Sequence, residues 1–265
     1  MFTEIRKISS LLLSVAFSSI GFIASITVTV LAAREVSSNP LFVGFPNAVG
    51  VGGAILGTRM IYLISKNSSQ LNALAFTFLI GAFGGAVMFY SLIIDSFVLL
   101  LFGAFILGIG QSATLQTRYA ASFVASEKFK ATALSLAVWF SVFGSVFGPR
   151  MVGSYSNFFE NIFNSELIVG YVIALVGMLF AASSLFIFTS KKSILRSPSN
   201  LENESNNQNS NKKNGNLLSL LLVLNHFTMV VIMSATPLHI QDIGETVQLV
   251  GIIISYHTLG MFLFS

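Results

Sequence analysis

The chain has 265 residues, 54% of them hydrophobic and only 9% charged, with a mean hydropathy of +0.82, a balance that excludes a soluble globular domain. Fourteen Lys and Arg against ten Asp and Glu leave a net charge of +4. The bases are scattered among short inter-helix segments rather than gathered on one face, which argues against a nucleic-acid partner. The chain has no cysteine, so disulfides, thiolate catalysis and Cys-ligated metals are excluded.

Eight apolar stretches follow in chain order, each suited to a hydrocarbon layer of about 30 Å, which takes roughly 20 helical residues. The first, Ile8–Ala32, is too long and lacks a following cleavage site, so it reads as a retained helix rather than a signal peptide. Within it Ser14, Ser18, Gly21, Ser25 and Thr29 recur at helical spacing and draw one polar stripe. Such a stripe is either a cavity wall or a seam of small residues where helices approach closely. The second, Leu41–Leu56, leads into Gly57–Lys66, which carries the bases Arg59 and Lys66. The third is Ala73–Ile94. Gly53 with Gly57, and Gly81 with Gly85, are GxxxG pairs suited to close helix crossings.

The fourth stretch, Phe97–Leu115, presents Gln111 and Thr114 on the face that continues to Arg118. The Arg118 guanidinium has three readings: it snorkels to phospholipid, it binds an anionic substrate, or it pairs with Glu127 to hold an inner gate. The fifth, Ala131–Val152, carries Gly144, Gly148 and Pro149 and is followed by Gly153, a predicted bend against the eighth helix. After the sixth, Leu167–Phe188, comes Ser190–Asn216, rich in Asn, Ser and charge and too poor in apolar residues to fold; we read it as a disordered cytoplasmic linker. The seventh, Leu217–Leu238, contains Asn225 and His226, and the eighth, Val247–Phe264, contains His257. Polar groups at membrane depth are costly unless they face a cavity or a neighbouring helix, and a histidine titrates near neutrality, so His226 and His257 are candidates for coupling or for simple inter-helix hydrogen bonds.

Threading the stretches alternately from a cytoplasmic N-terminus places Arg6, Lys7, Arg59, Lys66, Lys128, Lys130, Lys191, Lys192, Arg196, Lys212 and Lys213 inside, with only Arg34 and Arg150 outside. Apolar runs of this length without period-2 alternation are helices, so the predicted class is an all-α, multi-pass bundle in a plasma (inner) membrane, its chief partner the lipid bilayer.

The two sides of the linker are related. Leu41-Phe42-Val43-Gly44 is followed by Gly53, and Leu249-Val250-Gly251 by Gly260, at the same glycine spacing. This divides the chain into a six-helix unit (residues 1–189), the linker (190–216) and the start of a second copy (217–265), the plan of parallel six-helix repeats. On the run Gly108–Gly153, which includes Gly144-Ser-Val-Phe-Gly148-Pro149, and on Thr236-Pro237-Leu238-His239 and Ser255–Met261, the chain resembles the major facilitator superfamily, in particular bacterial members related to drug exporters. The Gly144–Gly153 stretch is similar to the helix-5 motif of proton-coupled antiporters. Two features depart from the family pattern: Tyr62 stands near the expected acid after helix 2, and Ala104–Phe105 stands where helix 4 usually has an arginine.

The resemblance implies a secondary transporter that exports a small-molecule substrate in exchange for protons by alternating access. Its substrate path would run along Ser14, Ser18, Ser25, Gln111, Thr114, Asn225 and His226, with Arg118, Glu127, Arg59, Lys66 and His257 in gating or coupling. A complete member has twelve helices, so the chain reads as truncated or as part of a split transporter, with a four-helix C-terminal segment supplied elsewhere. The alternative is an interaction subunit with no transport of its own. No Walker loop, HExxH or GxSxG occurs, so no enzyme, cofactor or metal is expected.

Overall fold

The computed structural model describes residues 2–37, 39–188 and 212–262. All regular structure among them is helical: α1 (Phe2–Val36), α2 (Phe45–Asn67), α3 (Gln70–Ile93), α4 (Phe97–Val124), α5 (Lys130–Phe163), α6 (Ile168–Phe188), α7 (Lys212–Asp242) and α8 (Val247–Phe262), with short 3-10 turns at Pro40–Phe42 and Glu127–Phe129. Seven of these helices, α1 to α7, are long and apolar enough to cross a membrane, and α8 is a shorter apolar helix. The chain is a polytopic helical membrane protein.

The helix ends differ from the edges of the apolar runs, for local reasons. The start of α2 is delayed to Phe45, because Pro40 opens a 3-10 turn and Pro46 occupies the first helical turn, where its missing N–H costs nothing. Downstream, α2 continues through Arg59–Lys66 until Ser68 and Ser69 break it; Ser69 accepts from the Asn72 backbone N–H at 3.1 Å and caps α3. At the other end of the bundle α5 runs past Val152 to Phe163, where Asn164 adopts a left-handed conformation (φ 56°) and closes it. The seventh helix begins at Lys212, so Lys212–Asn216, assigned above to the linker, are helical. The remainder of that linker, 190–211, and residues 263–265 lie outside the described residues.

Within the bundle α1 is central, packed on α5 and α6 and also touching α4, while α3 pairs with α4 and α6, and α2 lies on α4. Lipid tails are as apolar as the side chains, so close packing rather than exclusion of water holds such helices together. Glycines supply it. A methyl group at Gly53 of α2 would sit 1.9 Å from the Phe105 carbonyl oxygen of α4, and one at Gly108 of α4 would sit 2.0 Å from the Gly50 oxygen of α2, so the two backbones touch. Gly81 and Gly85 make similar approaches to Gly110 of α4 and Leu175 of α6.

The motif in α5 serves two partners. Gly144 and Gly148 press on α1 at Ala16, Ser19, Ile20 and Ala24, whereas Gly153 meets Gln248 of α8 and the Pro149 carbonyl meets Gly251 of α8. The predicted contact with the eighth helix therefore holds for Pro149 and Gly153 but not for Gly144 and Gly148. Ser255 of α8 reinforces it by donating to the Val146 carbonyl at 2.8 Å. By contrast, among the described side chains of α7, Met233, Pro237 and Ile240 in the C-terminal half are buried, while Leu217, Leu218, Leu220, Leu221, Val223, Leu224 and Phe227 are exposed.

Candidate functional site: a central cavity

Between α1, α2, α4 and α7 lies a cavity of about 550 Å³, touched by Met88 of α3, Ser145 of α5 and Thr258 of α8. Its size falls within the roughly 300–1,000 Å³ of small-molecule sites. Most of its wall is apolar, including Phe22, Ile26, Val51, Ile55, Leu107 and Met233. The polar groups are few: Ser25 and Thr29 from α1, Asn47 and Thr58 from α2, Gln111 and Arg118 from α4, Ser145, Ser234 and Thr258. Among the described residues, Arg118 is the one charged residue on that wall.

Helix geometry divides the predicted polar stripe of α1. Each hydroxyl is first satisfied within the helix: Ser14 donates to the Leu11 carbonyl, Ser18 to Val15, Ser25 to Phe22 and Thr29 to Ser25, at 2.7–3.2 Å. Only Ser25 and Thr29 reach the cavity. Ser14 and Ser18 are fully buried away from it, and Gly21 backs onto Ala174 of α6. Both readings of the stripe are thus realised, in different segments of one helix.

On α4, Gln111 and Arg118 face the cavity two turns apart, with Thr114 buried between them. Gln111 Oε1, Thr114 Oγ1 and Arg118 Nε are buried and have no hydrogen-bond partner among the described residues. The expected Arg118–Glu127 pair does not form. Glu127 lies in the exposed turn before α5 and pairs with Lys130 at 2.7 Å, three residues along the same segment. Arg59 is exposed, and Lys66, also exposed, sits with its ammonium 4.7 Å from the centre of the Tyr62 ring of its own helix. Asn225 and His257 are on exposed faces rather than in the cavity; next to His257, Thr258 takes the inward place. The side chain of His226 lies outside the described residues.

Sequence reading missed Asn47, Thr58, Ser145, Ser234 and Thr258. Each is a polar residue on an otherwise largely apolar helix, as Gln111 is. Asn47 and Ser234 matter most, because Asn47 Nδ2 donates to Ser234 Oγ at 3.0 Å and joins α2 to α7 across the cavity. At that end of the bundle Arg34 of α1 also pairs with Asp242 of α7. Beyond the helices, on the connection from α5 to α6, burial and then the charge of Glu160 hold the Glu166 carboxyl above its ordinary range.

With this geometry in view, two curated relatives are informative. The chain is 28% identical over 261 residues to the uncharacterized MFS-type transporter YdeG of Bacillus subtilis (strain 168), a match covering 95% of the chain and 61% of the relative. It is 28% identical over 269 residues to the uncharacterized MFS-type transporter YddS of the same organism, covering 97% and 62%. Both relatives carry a transporter name. The chain spans about three fifths of the length of these relatives. No family model matches the chain, and no solved structure does.

Proposed function

We propose that the chain belongs to the major facilitator superfamily and forms the larger part of a secondary transporter that exports small organic molecules in exchange for protons across a plasma membrane, its N-terminus cytoplasmic. The observation that carries this reading is the cavity. It is of substrate size, lies between α1, α2, α4 and α7, and combines an apolar wall with a handful of polar groups. The two similar MFS-type proteins support the class of activity.

Alternating access needs two helix units that rock about a bound substrate. Here α7 and α8 dock on α1, α2 and α5 through contacts that include the Arg34–Asp242 pair, the Asn47–Ser234 hydrogen bond and the glycine crossing at Gly153 and Gly251. All lie towards the proposed outer end, while the described apolar side chains of Leu217–Phe227 on α7 are exposed. That arrangement fits a state closed outside and open towards the cytoplasm. In the exchange step the helices would tilt, breaking the outer contacts and bringing α7 onto the bundle at the inner end.

Reconstitution into sealed vesicles containing a trapped pH dye tests the proposal. A pH step is imposed, and small organic solutes are added in turn. Solute-dependent proton movement that exceeds that of empty vesicles is expected; a pH decay indifferent to every solute contradicts the coupling. A second reading has one specific observation behind it, the apolar and exposed N-terminal half of α7. Under it the chain moves nothing alone and pairs with further helices, and vesicles would gain activity only when those helices are co-reconstituted.

A further inference from the structure

Arg118 is a guanidinium on the wall of a membrane-embedded cavity, without a carboxylate beside it among the described residues. Among the described residues no acid lines the cavity, and α2, α3, α4 and α8 contain no Asp or Glu at all. Acids on the remaining helices stand at their ends: Glu4 and Glu35 on α1, Glu160 on α5, Asp242 on α7. Asp242 is taken by Arg34, and Glu127 by Lys130. An unpaired charge at such a place is strongly unfavourable unless a counter-charge meets it. Arg118 itself is half-buried. Its Nε is buried, and the side chain borders the cavity.

Resting on the transporter reading above, we infer that the cavity takes an organic monoanion, a carboxylate or similar head on an apolar body, with the head on Arg118. One guanidinium matches one carboxylate in a fork-to-fork pair. The apolar body has Ile26, Val51, Ile55 and Leu107 to lie against. Gln111, two turns along α4 and so about 10 Å away at 1.5 Å per residue, has an unpartnered side-chain oxygen to receive a hydrogen-bond donor at the far end of that body. A cation meets only repulsion from Arg118, and a neutral molecule leaves it unpaired.

The test uses three isosteric probes on the full chain in phosphatidylcholine nanodiscs: biphenyl-4-carboxylate, biphenyl-4-carboxamide and biphenyl-4-methylammonium. Equilibrium dialysis against empty nanodiscs isolates saturable binding. A charge-assisted pair replaced by a neutral contact corresponds to about tenfold to a hundredfold in affinity, so the carboxylate is expected to lead the amide by at least tenfold. Arg118→Gln levels that preference, and Arg118→Lys, which keeps the charge but loses the fork, restores part of it. The parent's own preference needs no variant to fold. Amide or ammonium binding as tightly as carboxylate overturns the inference and leaves the transporter reading standing. So does a carboxylate preference that survives Arg118→Gln in a variant with parental melting. Saturable binding of none of the three overturns it too. Loss of carboxylate binding on replacing the lipid with phosphatidylglycerol reassigns Arg118 to lipid headgroups and likewise overturns it. Arg118-dependent carboxylate binding without flux in sealed vesicles supports the site and instead rejects the transporter reading.

Discussion

Gly52 and Gly53 are adjacent in α2 yet face opposite fates when a methyl group is added. At Gly53 the new carbon would lie 1.9 Å from the Phe105 oxygen, 2.9 Å from its carbon and 3.2 Å from the Ile109 nitrogen, all backbone atoms of α4. Backbone cannot swing aside as a flexible side chain does. Restoring an ordinary contact of 3.4 Å therefore requires α2 and α4 to part by more than an ångström, along a crossing that Gly57 and Gly108 share. Overpacking of this kind costs about 1–3 kcal/mol, and backbone-on-backbone contact places Gly53→Ala at the upper end. Gly52 has nothing nearer than the Phe105 ring edge at 3.9 Å, so Gly52→Ala meets no obstacle and gains up to about 1 kcal/mol from the stiffer helix. Thermal unfolding of both variants in one detergent, side by side with the parent, reads the contrast. Gly53→Ala should melt several degrees below the parent and Gly52→Ala at or above it. Equal melting temperatures for the two would refute the close crossing of α2 and α4.

Other expectations concern charge. Burial holds the Glu166 carboxyl of the folded state above its ordinary range, so it binds more protons than the unfolded chain between the unfolded and folded values, and stability falls as pH rises through that window. Glu166→Gln should therefore melt above the parent at pH 7 and level with it near pH 4; an unchanged difference across that range would contradict the burial argument. The Arg34–Asp242 pair is about half exposed on both sides (47% and 54%), so Asp242→Asn should cost under about 1 kcal/mol in thermal unfolding. The same change should speed entry of water-soluble reagents from that end severalfold, an effect that high salt reproduces in the parent. Glu127→Ala should leave carboxylate-probe binding unchanged, because Glu127 meets Lys130 and not Arg118; a tenfold loss would restore the inner-gate reading.

The eight helices were legible because a bilayer imposes one strong rule, an apolar run long enough to satisfy its own backbone. Their ends were less so. Pro40 and Pro46 delay α2, while α4 and α5 continue past their apolar runs into residues that need only helical propensity and a cap such as Asn164. The candidate site was legible in part. Gln111 and Arg118 stood out as polar residues on one face of α4, and the structure brings them to the cavity. The α1 stripe could not be apportioned from its spacing, since small residues serve both close packing and a polar wall, and only the neighbours of Ser14 and Ser25 distinguish them. His257 and Asn225 were misplaced for a related reason: a helix of nearly uniform apolarity gives little sign of which face meets its neighbours. Contacts between distant helices, Asn47 with Ser234 and Arg34 with Asp242, had no sequence signal beyond polarity.

Because the chain has no cysteine, any introduced thiol is unique, and Ala54 of α2 lines the cavity without a polar role. Ala54→Cys in sealed vesicles, exposed to a membrane-impermeant maleimide from one side and then the other, tests whether the cavity serves alternating access. Labelling from both sides is expected, faster from the side of the α1 N-terminus and accelerated from the opposite side by Asp242→Asn. Labelling from neither side, or from one side only whatever the state of Asp242, would contradict a cavity that opens alternately across the membrane.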